Sequence, residues 1–375
     1  MNIPKLRFKE FNNLWQNEKL EDAVEFLDEK RKPIKDSDRN NIKGEYPYYG
    51  ASGIIDYIND YIFDEDLLLL GEDGANILSR STKLVFKATG KYWVNNHAHV
   101  LKPKENYNID FLESYLENIN YESYNTGTAQ PKLNQEVCKK INIKIPSLKE
   151  QEKIGKTLSL LDKKIELQSK KIEDLKLFKK GLINSIGKNI EIEKIPLKNI
   201  LEEQNHKTIK NNEYEILSST SKGIYLQKDY FNKQAASDNN VGYKILKKNQ
   251  LVLSPQNLWM GNININSKYN IGIVSPSYKI FDINNNIDID FFDYWIKSPK
   301  ALYEYKISSE QGASIVRRNL NMDLFYEIKV DIPKGKMQHK LGKIIKLLNL
   351  KIQYNENLLQ KLQELKKGLM QNMFV

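Results

Sequence analysis

Hydrophobic residues recur at alternating spacings of three and four along two long stretches of the chain. This spacing is typical of a coiled-coil seam, in which positions a and d of each heptad are apolar. It predicts one helix over residues 148–187 and another over residues 334–375. The predicted seam positions are Ile154, Leu158, Leu161, Ile165, Ile172, Leu175, Leu341, Ile345, Leu348, Ile352, Leu359 and Leu362. We expect the two helices to pack on each other or on helices of a partner.

The two predicted helices belong to an internal repeat. Shifting residues 145–187 by 187 positions places them on residues 332–374 without a gap, and 16 of the 43 aligned positions are identical. Two polar interruptions of the seam coincide too, because Gln168 aligns with Asn355 and Lys179 aligns with Lys366. A polar seam residue costs stability but fixes the register of the pair. The chain therefore behaves as a tandem duplication.

A segment of different composition precedes each helix. Residues 1–147 and 188–333 are punctuated by Gly, Asn, Ser and Tyr and contain short runs of strand-forming residues. The predicted strands cover residues 66–70, 83–87, 141–145, 251–254, 278–282 and 328–332. The two segments resemble each other only at their ends, and their middles diverge. The expected fold is α/β (α+β), with two mixed α/β units separated by two long helices.

Composition narrows the choice of function. The chain has 375 residues and a formal net charge of +10, a balance that favours nucleic acid or another polyanion as partner. The predicted helices carry this excess: residues 148–188 sum to +5 and residues 334–375 to +7. Their lysines form either an ordinary solvated face or a track along a phosphate backbone. The single cysteine, Cys138, excludes an intramolecular disulfide framework and a Cys-rich zinc site. Without a signal-peptide or membrane-spanning pattern, we expect a cytoplasmic protein and no membrane partner.

Catalytic motifs are either absent from the sequence or disfavoured by it. Adenine methyltransferases need an Asx-Pro-Pro-aromatic tetrapeptide, and no two prolines are adjacent here. The tail of a phosphate-binding loop occurs at Gly155-Lys156-Thr157, but Glu150 occupies the position of its first glycine. A nuclease triad at Asp323, Glu327 and Lys329 is disfavoured because the aligned repeat has Lys140 in place of Glu327. For His97 and His99, neutral rings bonded to backbone or bases are a better interpretation than a metal site.

The arrangement resembles the specificity subunits of Type I restriction-modification systems. In the first unit the resemblance lies in residues 46–54 (YPYYGASGI), 71–75 (GEDGA), 95–101 (NNHAHVL) and 126–134 (TGTAQPKLN). In the second unit it lies in residues 253–259 (LSPQNLW) and 272–278 (GIVSPSY). The Ile-Pro-x-x-x-x-Gln pattern from Ile145 to Gln151, entering a helix, is similar to the family's boundary between recognition domain and spacer helix.

The resemblance implies a division of the chain and a set of partners. Target recognition domains would occupy residues 1–147 and 188–333, and conserved spacer helices residues 148–187 and 334–375. The helices would pair as an antiparallel coiled coil in a pseudo-twofold duplication, and each domain would read one half of a bipartite double-stranded DNA target. Two methyltransferase subunits using S-adenosylmethionine would dock on the chain, and two restriction subunits using ATP and Mg would complete the complex. The chain itself would be non-catalytic, whereas the complex would methylate adenine and cleave DNA.

Base edges are read by amide, hydroxyl and basic side chains at loop tips, so we searched the divergent segments for such clusters. The candidate DNA-binding residues are Tyr48, Tyr49, Ser52, Asp73, Asn76, Asn96, His97, Thr126, Thr128, Gln130, Lys132, Gln256, Asn257, Trp259, Ser277, Tyr278, Ser314, Arg317, Arg318 and Asn319. Two other functions stay open at this point: a coiled-coil scaffold without clustered base-reading side chains, and a stand-alone DNA-binding regulator.

Overall fold

The computed structural model of the protein describes residues 3–188, 190–230, 239–311 and 318–375. Contacts divide the chain into two compact units. Unit 1 comprises Met1–Lys171 with Asn355–Val375, and unit 2 comprises Ile172–Tyr354. Each unit therefore contains one globular part and a portion of each long helix. The mixed α/β fold with two long helices confirms the fold class expected from the sequence.

The first half of the chain forms ten strands and six α-helices within its described residues. The strands are β1 (Gln16–Lys19), β2 (Val24–Phe26), β3 (Lys43–Gly50), β4 (Gly53–Ile58), β5 (Phe63–Asp64), β6 (Leu67–Gly71), β7 (Val85–Ala88), β8 (Lys91–Val94), β9 (Ala98–Pro103) and β10 (Asn142–Ile145). The helices are α1 (Leu20–Ala23), α2 (Asp36–Arg39), α3 (Asn76–Ser79), α4 (Ile109–Asn118), α5 (Gln135–Lys139) and α6 (Leu148–Lys188).

The second half follows the same plan. Its strands are β11 (Ile192–Pro196), β12 (Leu201–Gln204), β13 (Leu217–Thr220), β14 (Gly223–Leu226), β15 (Lys244–Lys247), β16 (Leu251–Leu253), β17 (Ile263–Ile265), β18 (Ile271–Val274), β19 (Lys279–Ile283), β20 (Ser309–Gln311), β21 (Arg318–Leu320) and β22 (Lys329–Pro333). Its helices are α7 (Gln227–Tyr230), α8 (Ile289–Trp295), α9 (Pro299–Ile307), α10 (Met322–Glu327) and α11 (Met337–Met373). All six strands predicted from the sequence are present, with ends shifted by one or two residues.

The central sheets of the two units have the same strand order. Unit 1 has β2-β9-β6-β7 and unit 2 has β12-β19-β16-β17, with antiparallel neighbours throughout. Strand β6 is buried on both faces, which explains its unbroken run of leucines. The middles of the two units therefore diverge in sequence but keep the same central-sheet order. The two units differ in their remaining sheets: unit 1 has the four-stranded sheet β4-β3-β8-β5, whereas unit 2 has the pairs β13-β14, β15-β18 and β20-β21.

Each globular part is closed by a ribbon of its first and last strands. Strand β1 pairs with β10, and β11 pairs with β22, both antiparallel. The last strand of each ribbon leads directly into a long helix. Helix α11 begins at Met337 rather than at residue 334, because Gly335 adopts a φ of +62° in the turn before it.

Equivalent contacts fix each long helix on its globular part. Asn108 caps α4 by accepting a hydrogen bond from Phe111 N (2.9 Å), and Asp288 caps α8 by accepting one from Phe291 N (2.9 Å). Next to the first cap, Gln151 Oε1 accepts from Asn108 N at 2.9 Å. In unit 2 the aligned Gln338 Oε1 accepts from Asp288 N at 3.1 Å. These glutamines therefore hold the start of each long helix against a capped helix.

Two repeated glycines permit this approach. A Cβ atom on Gly155 would lie 2.6 Å from Asn108 Oδ1, and a Cβ atom on Gly342 would lie 2.3 Å from Asp288 Oδ1. Any side chain there would displace the cap. The glycine of each Gly-Lys pair is therefore a packing position inside a helix. This agrees with the conclusion from the sequence that these residues do not form a phosphate-binding loop.

Candidate nucleic-acid interface

Three loops predicted from the sequence converge at one edge of unit 1. Glu72 N donates to His97 O (2.8 Å), and Gly74 N donates to Pro131 O (3.0 Å). Asp73 Oδ2 lies 2.8 Å from His97 Nδ1. We call residues 72–75, 95–97 and 125–132 the first loop cluster. It brings together seven of the predicted site residues at the surface or near it: Asp73, Asn96, His97, Thr126, Thr128, Gln130 and Lys132.

The loop at 125–132 is built around one asparagine side chain. Asn125 Oδ1 accepts hydrogen bonds from Gly127 N (3.0 Å) and Lys132 N (2.8 Å). Thr126 N and Oγ1 both donate to Lys132 O. A Cβ atom at Gly127 would lie 1.8 Å from Gln130 O, so only glycine fits. The loop is therefore pre-organised, and it presents Thr128 and Gln130 to solvent.

Charged partners flank this loop. Lys132 Nζ lies 3.3 Å from Glu72 Oε1, and Glu72 Oε2 accepts from Arg31 NH1 at 2.7 Å. His97 is half exposed beside Asp73. The edge therefore offers alternating cationic and anionic groups next to amides and hydroxyls, which is the chemistry needed to contact phosphates and base edges.

Other predicted residues of unit 1 lie in the framework. Tyr48 is 1% exposed, and its hydroxyl accepts a hydrogen bond from Ile34 N, so its ring is a core group rather than a stacking surface. Tyr49 is half buried against Phe86 and Tyr92, and burial raises the pKa of its hydroxyl. Asn76 binds the backbone of residues 82 and 83 and so shapes its own loop. Ser52 is exposed in the turn between β3 and β4.

A buried charged group behind the first loop cluster was missed from the sequence. His99 is 1% exposed, with Nδ1 2.6 Å from Asp28 Oδ2 and Nε2 2.8 Å from Leu133 O. Asp28 also accepts hydrogen bonds from Val100 N and Gln135 Nε2. Asp28 and Leu133 lie 71 and 34 residues from His99 in sequence, and no spacing pattern connects them.

The equivalent edge of unit 2 joins the loop after β16 to strand β21. Arg318 N donates to Gln256 O at 3.2 Å. Gln256 and Asn319 are exposed, whereas Asn257 and Trp259 are half buried. We call residues 254–260 and 318–319 the second loop cluster. Ser314 and Arg317 lie outside the described residues.

The guanidinium of Arg318 is engaged within unit 2. Its Nε donates to Ser309 Oγ (2.9 Å), and NH2 donates to the carbonyl oxygens of Ser309 and Lys306. It therefore ties β21 to β20 and the end of α9. Arg318 was selected as a candidate DNA-binding residue, but its guanidinium here supports the hairpin.

The turn between β18 and β19 carries two further predicted residues. Ser277 is exposed and its Oγ lies 3.1 Å from Ser275 Oγ. Tyr278 donates from its hydroxyl to Ser219 O (3.1 Å), and burial raises the pKa of this hydroxyl. Tyr278 is therefore a partly buried anchor beneath the exposed serine.

All twelve predicted seam positions are buried or half buried. In unit 1, Gln168 Nε2 donates to Asn355 Oδ1 and to Asn355 O, both at 2.9 Å, and Lys366 Nζ lies 2.5 Å from Asp162 Oδ1. In unit 2, Lys179 Nζ donates to Asn349 Oδ1 at 2.6 Å. Within unit 1, Asp162 of α6 contacts Lys366 of α11, and the later residue Gln168 contacts the earlier residue Asn355. Those portions of the two helices therefore run antiparallel.

The long helices also expose apolar side chains at repeat-equivalent positions. Exposed residues on α6 align with exposed residues on α11 in three pairs: Leu160 with Leu347, Leu167 with Tyr354, and Phe178 with Leu365. Single exposed hydrophobic residues are ordinary, but a set repeated in both copies points to contact surfaces. Among the described residues, no helix is both long and apolar enough to cross a membrane, and none of their His, Cys, Asp and Glu side chains form a group of three suited to a metal ion.

Comparison with known proteins gives consistent matches. The family described as the Type I restriction modification DNA specificity domain matches residues 12–177. A putative Type I restriction enzyme specificity subunit of Haemophilus influenzae is 37% identical over 142 residues, which cover 38% of this chain and 36% of that protein. The chain thus matches about a third of that relative's length. The MjaVIII specificity subunit of Methanocaldococcus jannaschii is 23% identical over 97% of this chain and 94% of its own.

A solved structure supports the fold. The S subunit of a Type I restriction-modification system from M. genitalium superposes with a TM-score of 0.70 at 18% identity, covering 100% of this chain and 99% of that one. Together with the sequence matches, this fold confirms the resemblance noted from the sequence. Residues 12–177 thus match the family of Type I restriction modification DNA specificity domains, and the chain shares the fold of the M. genitalium S subunit over its whole length.

Proposed function

We propose that units 1 and 2 each read one half of a bipartite DNA target, through the first and second loop clusters respectively. The observation that carries this proposal is a repeated contact. Pro131 and Arg318 are aligned in the repeat, and each is hydrogen-bonded to the loop after an equivalent strand, β6 in unit 1 and β16 in unit 2. In unit 1, Gly74 N donates to Pro131 O, and in unit 2, Arg318 N donates to Gln256 O. The same construction thus presents different side chains in each unit, as two readers of different bases require.

The long helices supply the second part of the proposal, a spacer between the half-sites. Their seam is polar at two repeat-equivalent pairs, and at one of them Gln168 and Asn355 bond each other. A buried polar pair penalises shifted registers, because any shift leaves these groups without partners. In this view the helices fix how many base pairs separate the two half-sites.

The third part concerns partners. The apolar residues exposed at equivalent positions of α6 and α11 suit two copies of one partner, because a duplicated surface can be bound twice. We propose that methyltransferase subunits dock there and supply S-adenosylmethionine and the adenine chemistry. Restriction subunits, with ATP and Mg, would join the same assembly. The chain itself would contribute recognition and no chemistry.

The proposed function is tested by mapping adenine methylation in the host genome with and without this gene. We expect one methylated motif, two short blocks around a fixed gap, to disappear with the gene and to return when the gene is restored. Methylation that is unchanged although the chain co-purifies with a methyltransferase would contradict the proposal. Co-purification without any change in binding to DNA would favour the coiled-coil scaffold instead.

The spacer role is tested by inserting one heptad after Gln168 and one before Asn355. Because Gln168 and Asn355 are paired and the helices are antiparallel there, the two insertions lie opposite each other, and both this pair and the seam stay matched. Seven helical residues add about 10.5 Å at 1.5 Å per residue. That corresponds to about three base pairs at 3.4 Å each. We expect the gap in the methylated motif to widen by about three base pairs with both blocks unchanged, and an unchanged gap would refute the spacer role.

A further inference from the structure

The strongest unassigned feature of unit 1 is the buried ion cluster behind the first loop cluster. Its members are His99, Asp28, Arg31, Glu72 and Gln135. Among them, His99 and Asp28 are the most deeply buried. Replacing a buried ion pair by apolar residues is often neutral or stabilising, so stability alone does not explain such a cluster.

The hydrogen bonds around His99 define its charge. Its Nε2 faces a carbonyl oxygen, Leu133 O, and a carbonyl can only accept. Its Nδ1 faces the Asp28 carboxylate at 2.6 Å. Both ring nitrogens must therefore donate, and the ring is an imidazolium rather than the neutral ring expected from the sequence. Burial lowers the pKa of His99, but hydrogen bonding to Asp28 raises it, with a net value of about 10.

The environment of the ring supports this assignment. Besides Asp28, Glu72 Oε2 lies 3.9 Å from Nδ1, and the buried thiol of Cys138 also raises the pKa of the ring. For Asp28 itself, burial raises the pKa, but the hydrogen bonds from His99 and from Val100 N bring it below its usual value. Arg31 NH2 lies 3.4 Å from the same carboxylate.

The ion cluster is connected to the exposed loop through short steps. Leu133, which His99 holds by its carbonyl, directly follows Lys132 at the end of the loop at 125–132. Leu133 N donates to Glu72 O at 2.7 Å, and the Glu72 side chain receives Arg31 on one oxygen and Lys132 on the other. The buried His99 and the partly buried Glu72 therefore link two of the chain segments that form the edge, namely the loop at 125–132 and the segment that contains Glu72.

We infer that His99 and Asp28 are positioning residues for DNA recognition by unit 1: they hold the loop at 125–132 in the conformation that reads its half-site, without touching DNA. This inference rests on the proposed function and deepens it. Reading groups must be held within a fraction of an ångström by supporting residues, because base discrimination depends on hydrogen-bond geometry.

The test uses the full chain with the variants His99→Gln and Asp28→Asn. A matched control is His339→Gln, because His339 Nδ1 also lies 2.7 Å from a carboxylate, Asp288 Oδ2, but its side chain is exposed in unit 2. Amide hydrogen exchange of residues 125–133 is measured first, since it does not depend on DNA. We expect it to accelerate at least tenfold in both unit 1 variants and to stay unchanged in His339→Gln.

The protonation of the histidine ring nitrogens, measured by NMR spectroscopy, gives a second readout. It would not change in the variants if His99 were a passive core group. The chain has 4 histidines, so selective ¹⁵N labelling yields a simple spectrum. We expect both ring nitrogens of His99 to be protonated at pH 8 in the parent chain and only one in Asp28→Asn, since an amide at position 28 can donate to the ring. A neutral ring in the parent chain would overturn the inference.

Recognition is then measured as methylation, by the chain with its methyltransferase, of duplexes carrying single base changes in either half-site. We expect discrimination in the half-site of unit 1 to fall at least tenfold in His99→Gln, with the other half-site unaffected. Unchanged exchange at residues 125–133, or equal losses at both half-sites, would overturn the positioning role. A parent chain that discriminates at neither half-site would instead contradict the proposed function, whatever the exchange data show.

Discussion

The two units share a frame and differ at the edge that would meet DNA. In both, a four-stranded sheet of identical order supports a capped helix, and a glutamine and a glycine fix a long helix against that cap. The edges are built differently: unit 1 rests on a buried histidine and aspartate, whereas unit 2 rests on an arginine that ties a hairpin together. The comparison teaches that packing constrains the frame, whereas the edge can diverge as long as something rigid supports it.

The largest effect should follow from filling the repeated glycine positions of the frame. Gly155→Ala or Gly342→Ala introduces a Cβ within 2.6 Å of a capping oxygen. Overpacking costs about 1–3 kcal/mol and a lost cap about 0.5–2 kcal/mol, so we expect about 3 kcal/mol of lost stability in urea unfolding.

Two other glycines of the same helices give the matched control. Gly181 and Gly368 are also aligned in the repeat, and a Cβ atom at either would meet nothing within 4 Å. Alanine there should raise the free energy of unfolding by about 0.5–1 kcal/mol, since alanine is the better helix former. Equal responses at the two pairs of glycines would refute the packing explanation.

A smaller effect is expected at the polar pair of the seam. Gln168→Leu removes both hydrogen bonds to Asn355, and we expect it to cost about 1–3 kcal/mol, because it strips a buried amide of its partner. The double change to leucine should recover the loss or exceed it, as apolar replacements of buried polar pairs often do. A double-mutant cycle in urea measures both, and additive losses would show that the two amides do not act as a pair.

At the edge of unit 2, Arg318→Ala should weaken recognition without unfolding the frame. Because the guanidinium holds Ser309 and Lys306, we expect a loss of about 1 kcal/mol spread over the whole half-site of unit 2. Methylation of duplexes with single base changes would measure this. A loss confined to one guanine would mean that Arg318 reads that base directly.

The smallest effect is expected at exposed ion pairs of the frame. Lys198 and Glu327 lie 2.7 Å apart, and both side chains are more than half exposed. Such pairs contribute at most about 1 kcal/mol and usually less, so Lys198→Ala should leave stability and both half-sites nearly unchanged. Thermal unfolding together with the methylation motif checks this, and a change in either half-site would mean that this surface also contacts DNA.

Periodic features were predictable from the sequence. The apolar seam of the long helices, their repeat and six strands follow from local patterns of three, four and two residues. The convergence of the loops containing Asp73, His97 and Lys132 was not predicted, although each loop had been selected as a candidate. Local patterns identify turns and polar tips, but they do not specify which tips become neighbours.

The misassigned residues share one physical cause. Tyr48 was selected as a DNA contact and the partners of His99 were not predicted, yet both side chains are buried and their partners come from other segments of the fold. The identical order of the central sheets was hidden for a related reason: strands of the same topology accept many apolar side chains, so their sequences can diverge while their pairing persists.

The central claim is that the two units read separate halves of one target. The most direct test maps the methylated motif produced by the full chain, with its methyltransferase, for two variants. One is Thr128→Ala with Gln130→Ala, at the exposed tip of the first loop cluster; the other is Gln256→Ala with Asn319→Ala, in the second. We predict that the first variant alters one block of the motif and the second alters the other, with the gap unchanged in both. Changes in both blocks from either variant would contradict the account.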